Sequence, residues 1–194
     1  MWTQLALRLP KRWLAHAALV LLGSAVVALT AQLSFPLPFT PVPVTGQTFG
    51  VLLTGALLGS RRGGAALLLY LVEGAAGLPV FAGGTGSVAH LLGPTGGYLV
   101  SYPFAAGLMG IFAERGWDRK PAATAAAMLL ASLLIYLSGA LWLAPFVGGV
   151  VAAILKGVLP FLPGDVAKAL LAAALLPGGW KLVRLSEFRT PLGR

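Results

Sequence analysis

Residues 122–155 form a run of 34 positions without Asp, Glu, Lys, Arg or His. A bilayer asks for such a run: crossing its hydrocarbon takes roughly 20 apolar residues at about 1.5 Å of rise each. The run is too long for one plain span. A crossing is expected to end near Trp142 to Pro145, with the remainder to Leu162 at or just inside the outer interface. The rest of the chain has the same character. It is 58% hydrophobic and 10% charged, whereas a soluble domain carries about 25% charge. An ordinary water-soluble domain, a disordered chain and a coiled coil are excluded. Glycine (26) and proline (14) are frequent but follow no Gly-X-Y period, which excludes collagen. Membrane helices tolerate both residues better than soluble helices do. With no cysteine, a disulfide framework, a thiol nucleophile and a zinc-thiolate site are excluded too.

Apolar segments predict an all-α integral membrane protein, one membrane domain over residues 1–194. Six transmembrane helices are expected, at about 14–33, 44–59, 63–81, 96–112, 122–144 and 163–180. His16 lies in the first, Glu73 in the third, and Asp165 and Lys168 open the sixth. Basic residues fall between these runs. Arg8, Lys11 and Arg12 precede the first span, and Arg61 and Arg62 separate the second from the third. Arg115, Arg119 and Lys120 separate the fourth from the fifth, and Lys181, Arg184, Arg189 and Arg194 follow the sixth. Twelve of the fourteen Lys and Arg thus share one side, leaving Lys156 and Lys168 on the other. The positive-inside bias makes that side cytoplasmic, with both termini there. The net charge of +9 is therefore a topology signal. It is not the basic face of a nucleic-acid binder. A cleaved signal peptide ending near Leu29-Thr30-Ala31 is the lesser reading; it would leave five crossings.

Cytoplasmic connections are short, whereas the external ones (residues 34–43, 82–95 and 145–162) are rich in Gly and Pro. Irregular backbone at membrane depth is tolerated only where protein or a cavity covers it, so the external end is expected to carry function. Enzyme chemistry is poorly supplied. The acidic residues are Glu73, Glu114, Asp118, Asp165 and Glu187, and the two histidines, His16 and His90, fall on opposite sides. No carboxylate pair, His-Asp-Ser set or metal cluster assembles, and neither a metal nor a cofactor is expected. Gly83-Gly84-Thr85-Gly86 lacks the Lys-Ser or Lys-Thr of a phosphate loop. Energy for uphill transport must come from another protein or an ion gradient.

Four segments carry information. Residues 35–43 place four prolines in eight positions, which favours extended backbone: a stiff connector or a semi-rigid lid over a pocket. Residues 78–86 and 93–99 are glycine-rich, suited to close approach of a ligand or of another helix. In Pro163-Gly164-Asp165-Val166-Ala167-Lys168, the Asp suits a helix start. Asp165 and Lys168, three apart, either simply pair or face a site, as costly intramembrane charges usually do. Glu73 is expected to hydrogen-bond within the bundle. Ser24 and Ala28, like Ala123, Ala127 and Ala131, recur four apart. That register suits bundle packing or a docking face.

The stretches PVPVTGQTFGVLLTGALLG (41–59), YLVEGAAGLPVFAGGTG (70–86), LLGPTGGYL (91–99), SGALWL (138–143) and FLPGDVAKA (161–169) resemble the BioY family. These are the biotin-specific substrate-binding subunits (S components) of energy-coupling-factor transporters. The resemblance runs from about residue 14 to residue 180. It implies six membrane helices, an external pocket, biotin as ligand, and location in the bacterial plasma or inner membrane. It also implies partners: a transmembrane coupling (T) subunit and two cytosolic ATPase subunits. Toppling of the subunit in the bilayer to carry its vitamin inward is implied as well.

By the same resemblance Asp165 accepts from the ureido N–H groups of biotin. Lys168 donates to the ureido oxygen or neutralises Asp165. Thr85 stands where some members have Asn, and Leu99 where some have Arg. The partner for the valerate carboxylate is then left to backbone N–H groups between Gly84 and Gly97, the Tyr98 hydroxyl or Lys168. Gly84 and Gly86 belong to this loop. Gln47 is assigned a polar contact, Trp142 ring packing, and Ser24 and Ala28 the docking face for the coupling subunit. Competing readings are an S component for another vitamin such as thiamine or riboflavin, a small lipid-modifying membrane enzyme, and a non-catalytic scaffold.

Overall fold

The computed structural model describes the backbone of residues 2–189 and the side chains of residues 13–178. The basic side chains of Arg8, Lys11, Arg12, Lys181, Arg184, Arg189 and Arg194 lie outside the described residues, as does Glu187. The elements run α1 (Trp2–Ala31), β1 (Ser34–Leu37), β2 (Thr40–Thr45), α2 (Gln47–Ala75), α3 (Val88–Leu92), α4 (Gly96–Glu114), α5 (Pro121–Val147), α6 (Val150–Gly157) and α7 (Leu162–Arg189). Trp13–Ala31, Gly96–Glu114 and Pro121–Val147 are long and apolar enough to cross a membrane. A fourth such crossing is present if the pair Val150–Gly157 and Leu162–Gly178, bent by 51°, counts as one.

α2 is not a straight rod. Gly59 leaves the helical region at φ 78 and ψ 175, a conformation essentially confined to glycine, and the chain doubles back there. A Cβ built on Gly63 would lie 2.9 Å from the Gly55 Cα, a pair that a straight helix holds about 12 Å apart. The Gln47 amide likewise reaches the Tyr70 hydroxyl, which a straight helix would leave about 34 Å away. Two antiparallel arms result, residues 47–58 and 60–75, where spans at 44–59 and 63–81 are expected. The second arm stops short of Phe81. Pro79 disfavours helical backbone at Leu78, and the chain turns away after Ala75.

The expectation of an all-helical chain needs correction in one place. Residues 34–45 form an antiparallel hairpin pairing Ser34 with Thr45, Phe35 with Val44 and Leu37 with Thr40, with an irregularity between Phe35 and Leu37. Four prolines forbid a helix here and withhold ladder donors. The N–H groups that remain suffice for a two-stranded ribbon, where missing donors can face outward. Residues 145–162, expected at the interface, hold the short helix α6.

The helices are apolar nearly all round, as in a bilayer-embedded bundle. Along α5, Leu133, Leu137 and Leu141 are exposed at intervals of four, while Met128, Ala131, Ile135 and Leu143 are buried. Val27, Val51, Leu67, Tyr70, Phe81 and Met109 belong to the same core. α4 and α5 approach closely at Gly97: a Cβ there would lie 2.2 Å from the Trp142 Cβ and 2.7 Å from the Ser138 carbonyl oxygen.

The chain alternates between two ends of this bundle. At one end Gly59, Ser60, Arg61, Arg62, Glu114, Asp118 and Arg119 surround a cavity of about 610 Å³. There Ser60 donates its backbone N–H (2.7 Å) and its hydroxyl (2.8 Å) to Glu114. The hairpin, the loop around α3, α6 and the start of α7 gather at the other end.

Candidate functional site

The second end holds a cavity of about 590 Å³, enclosed by the hairpin, the 82–95 segment, the starts of α2, α4 and α7, and Tyr136 of α5. That volume falls within the roughly 300–1,000 Å³ of small-molecule sites. Most of the wall is apolar or weakly polar: Pro36, Pro41, Val42, Pro43, Pro94, Leu99 and Phe161 contribute. The hairpin is part of that wall through Ser34, Pro36 and residues 40–45, which is how a stiff lid would be built.

The polar chemistry centres on Asp165, in the first turn of α7 and 5% exposed. One turn on, Lys168 approaches its Oδ1 at 2.9 Å. Thr48 lies 3.4 Å from the same oxygen, and Tyr136 of α5 donates to Oδ2 at 2.6 Å. Burying a carboxylate is costly unless it is paired and hydrogen-bonded, and here both oxygens are engaged. Lys168 also donates to the Thr45 carbonyl (2.9 Å) and the Thr48 hydroxyl (2.7 Å). Its ammonium has three donors, so all three are committed, tying α7 to the foot of the hairpin. The two sequence readings of this pair therefore coexist, since Asp165 and Lys168 pair and both also line the cavity.

A second network lies alongside. Tyr102 donates to Gln47 Oε1 at 3.2 Å, the Gln47 amide reaches Tyr70, and Tyr70 donates to the Val80 carbonyl at 2.9 Å. The Tyr98 hydroxyl donates to the Gly157 carbonyl at 2.8 Å, pinning α6 to α4. Gln47, Tyr98 and Tyr102 line the cavity. Elsewhere in the lining His90 of α3 stacks on Phe81 at 5.5 Å, and burial lowers its pKa.

Of the residues expected to meet ligand, Asp165, Lys168, Gln47 and Tyr98 line the cavity. Thr85, Gly84, Gly86 and Trp142 lie outside the lining, where Ala82, Gly83, Gly93 and Thr95 stand instead. Thr85 donates to the Ala82 carbonyl at 3.0 Å, closing its own turn. Trp142 is 40% exposed, and its indole N–H donates to the Gly93 carbonyl at 3.0 Å. It shapes the loop ahead of α4 from outside. The Ser24–Ala28 register turns inward: Ser24 is fully buried and donates to Glu73, and Ala28 packs against the core. Glu73 is thus hydrogen-bonded within the bundle, as expected.

Tyr136, Tyr102 and Thr48 escape a reading by sequence. A usable signal exists for Tyr136, a hydroxyl inside the long uncharged run that must find a partner when buried. Another exists for Tyr102, which stands four residues after Tyr98 on the same helical face. Thr48 carries none.

Comparison with known proteins agrees with this architecture. The BioY family model matches residues 4–185. The "Probable biotin transporter BioY" of Pyrococcus horikoshii is 44% identical over 160 residues, covering 82% of this chain and 93% of that protein. The "Biotin transporter BioY" of Rhizobium etli is 38% identical over 162 residues, 80% of this chain and 87% of its own length. Among solved structures, the crystal structure at 2.1 Å of the S-component for biotin from an ECF-type ABC transporter superposes with a TM-score of 0.77. It is 27% identical, and the match covers 88% of this chain and 93% of that one. On the family match, the fold and the span shared with these relatives, this chain belongs to the BioY family.

Proposed function

We propose that the chain is a membrane-embedded biotin-binding subunit that mediates biotin uptake. The bundle then makes six passes: α1, the two arms of α2, α4, α5, and α6 with α7. Both termini face the cytoplasm, in keeping with the distribution of Lys and Arg. The carrying observation is a buried carboxylate at the wall of a mostly apolar cavity of vitamin size. Biotin offers two ureido N–H donors, one carbonyl, an apolar bicycle and an anionic tail. A carboxylate accepts at about four lone-pair sites. Lys168, Thr48 and Tyr136 take three from Asp165, which leaves room for a ureido N–H. Leu99, Val42 and Phe161 suit the bicycle.

No phosphate loop occurs in the sequence, so the energy for accumulation is assigned to partners: a membrane coupling subunit and two cytosolic ATPases. Equilibrium binding of labelled biotin to the purified chain, without ATP, tests the reading. Saturable binding displaced by biotin, and not by thiamine or riboflavin, is expected. Absence of saturable biotin binding overturns it, and displacement by another vitamin moves the chain to a different substrate. ATP-driven uptake by the chain alone in sealed vesicles would contradict the division of labour.

A further inference from the structure

We infer that His90, protonated at Nε2, receives the carboxylate of the ligand's tail and makes binding proton-linked. This rests on the biotin reading and extends it to the half of the ligand that Asp165 does not serve. Among the described residues, the cavity lining offers two side chains able to carry positive charge, Lys168 and His90. Lys168 has all three N–H groups directed at Thr45, Thr48 and Asp165. The tyrosine hydroxyls are committed as well: Tyr98 to Gly157, Tyr102 to Gln47 and Tyr136 to Asp165. Leu99 adds no charge.

His90 lines the same cavity as Asp165, on the wall supplied by α3. Its Nδ1 lies 3.3 Å from the Thr85 hydroxyl, and that hydroxyl donates to the Ala82 carbonyl. Towards the imidazole Thr85 is therefore an acceptor, and Nδ1 carries the hydrogen. Nε2, 3.4 Å from the Thr95 hydroxyl, is left as the basic nitrogen, and Thr95 itself lines the cavity. A proton added there creates the donor that a carboxylate requires.

Helices α2 and α4 pack against α3; their titratable groups at this end are Tyr70, Glu73, Tyr98 and Tyr102, and the cavity lining adds Asp165, Lys168 and Tyr136. None of them hydrogen-bonds to the imidazole among the described residues. Burial lowers the His90 pKa and so favours the neutral ring. An arriving carboxylate raises it, and the complex takes up a proton.

The test measures dissociation constants for biotin and for biotin methyl ester between pH 5.5 and 8 on the purified chain. Over that range a carboxyl, titrating near about 4.3, stays ionised. Biotin should bind more tightly as pH falls, by up to about tenfold per pH unit within the titration window. The ester should bind with no such slope. His90→Gln can still hydrogen-bond to Thr85 and Thr95. It should lose the slope for biotin and bind it about tenfold more weakly at pH 5.5. A slope that persists in His90→Gln, or one shared by the ester, overturns the inference and leaves the biotin reading standing. If neither compound binds the natural chain, the biotin reading itself fails.

Discussion

Tyr136 in α5 and Asp165 in the first turn of α7 are joined by a 2.6 Å hydrogen bond, the phenol donating to Oδ2. Lys168 grips Oδ1 from one turn along α7. The carboxylate is held from two helices, so its remaining acceptor capacity points in a defined direction before any ligand arrives. Preorganisation of this kind lowers the ordering cost of binding.

Removing Asp165 should leave the ligand's buried donors unpaired. Asp165→Ala is expected to cost about 1–3 kcal/mol, which is roughly a 5- to 150-fold rise in the biotin dissociation constant. Asp165→Asn should retain part of the affinity through its amide oxygen. Undiminished binding by the Ala variant, titrated in detergent, would reject the role assigned to this residue.

Tyr136→Phe keeps the ring and deletes the donor. The carboxylate loses one of its restraints, and biotin affinity should fall by about tenfold or more, in line with the roughly 1.5–3 kcal/mol of a hydrogen bond to a charged group. Calorimetric titration of the variant beside the natural chain reads this directly. Equal affinities would mean that Lys168 and Thr48 position Asp165 unaided.

Gly59→Ala probes the fold-back of α2. Any Cβ at φ 78 and ψ 175 is strained by about 1–3 kcal/mol, and the loss should appear as a lower melting temperature. The cavity lies at the opposite end, so biotin affinity of the folded fraction should be unchanged. A melting temperature equal to that of the natural chain would show that the turn adopts another geometry.

Gly97→Val tests the α4–α5 contact. Trimming Trp142 to Ala should not rescue it, because the Ser138 carbonyl, 2.7 Å from the new Cβ, belongs to the backbone. Size-exclusion profiles should show loss of monodisperse protein for both the single and the double variant. A well-behaved single variant would contradict the close approach.

His90 also predicts a stability profile. Burial lowers its folded pKa, so below about 6.5 the unfolded chain binds more protons. Stability of the ligand-free protein is then present above that pH and lost as pH falls towards the lowered value. Melting curves from pH 5 to 7.5 should show this decline in the natural chain and a flatter one in His90→Gln.

Much of the bundle was legible before any coordinates. Apolar runs and basic punctuation placed α4 and α5 to within three residues at each end and the start of α7 to within one, because hydrophobic length is a local property of the chain. The fold-back of α2 was visible as Arg61-Arg62 between two apolar stretches. The hairpin was half legible: four prolines announced extended backbone, but its pairing depended on which N–H groups remained to face one another. Asp165 and Lys168 stood out because charges are rare in such a chain.

What linear order could not supply was convergence. Asp165 meets Tyr136 and Thr48 across 29 and 117 positions, and Gln47 meets Tyr102 across 55. No periodicity encodes separations of that kind. For the same reason Ser24 turned out to serve Glu73, and Trp142 to brace a loop from outside the cavity. Sequence determined which segments must leave water and where charge is too scarce to be accidental, since both follow from local composition. Tertiary structure alone decided which polar groups share a wall, because that depends on how the helices cross.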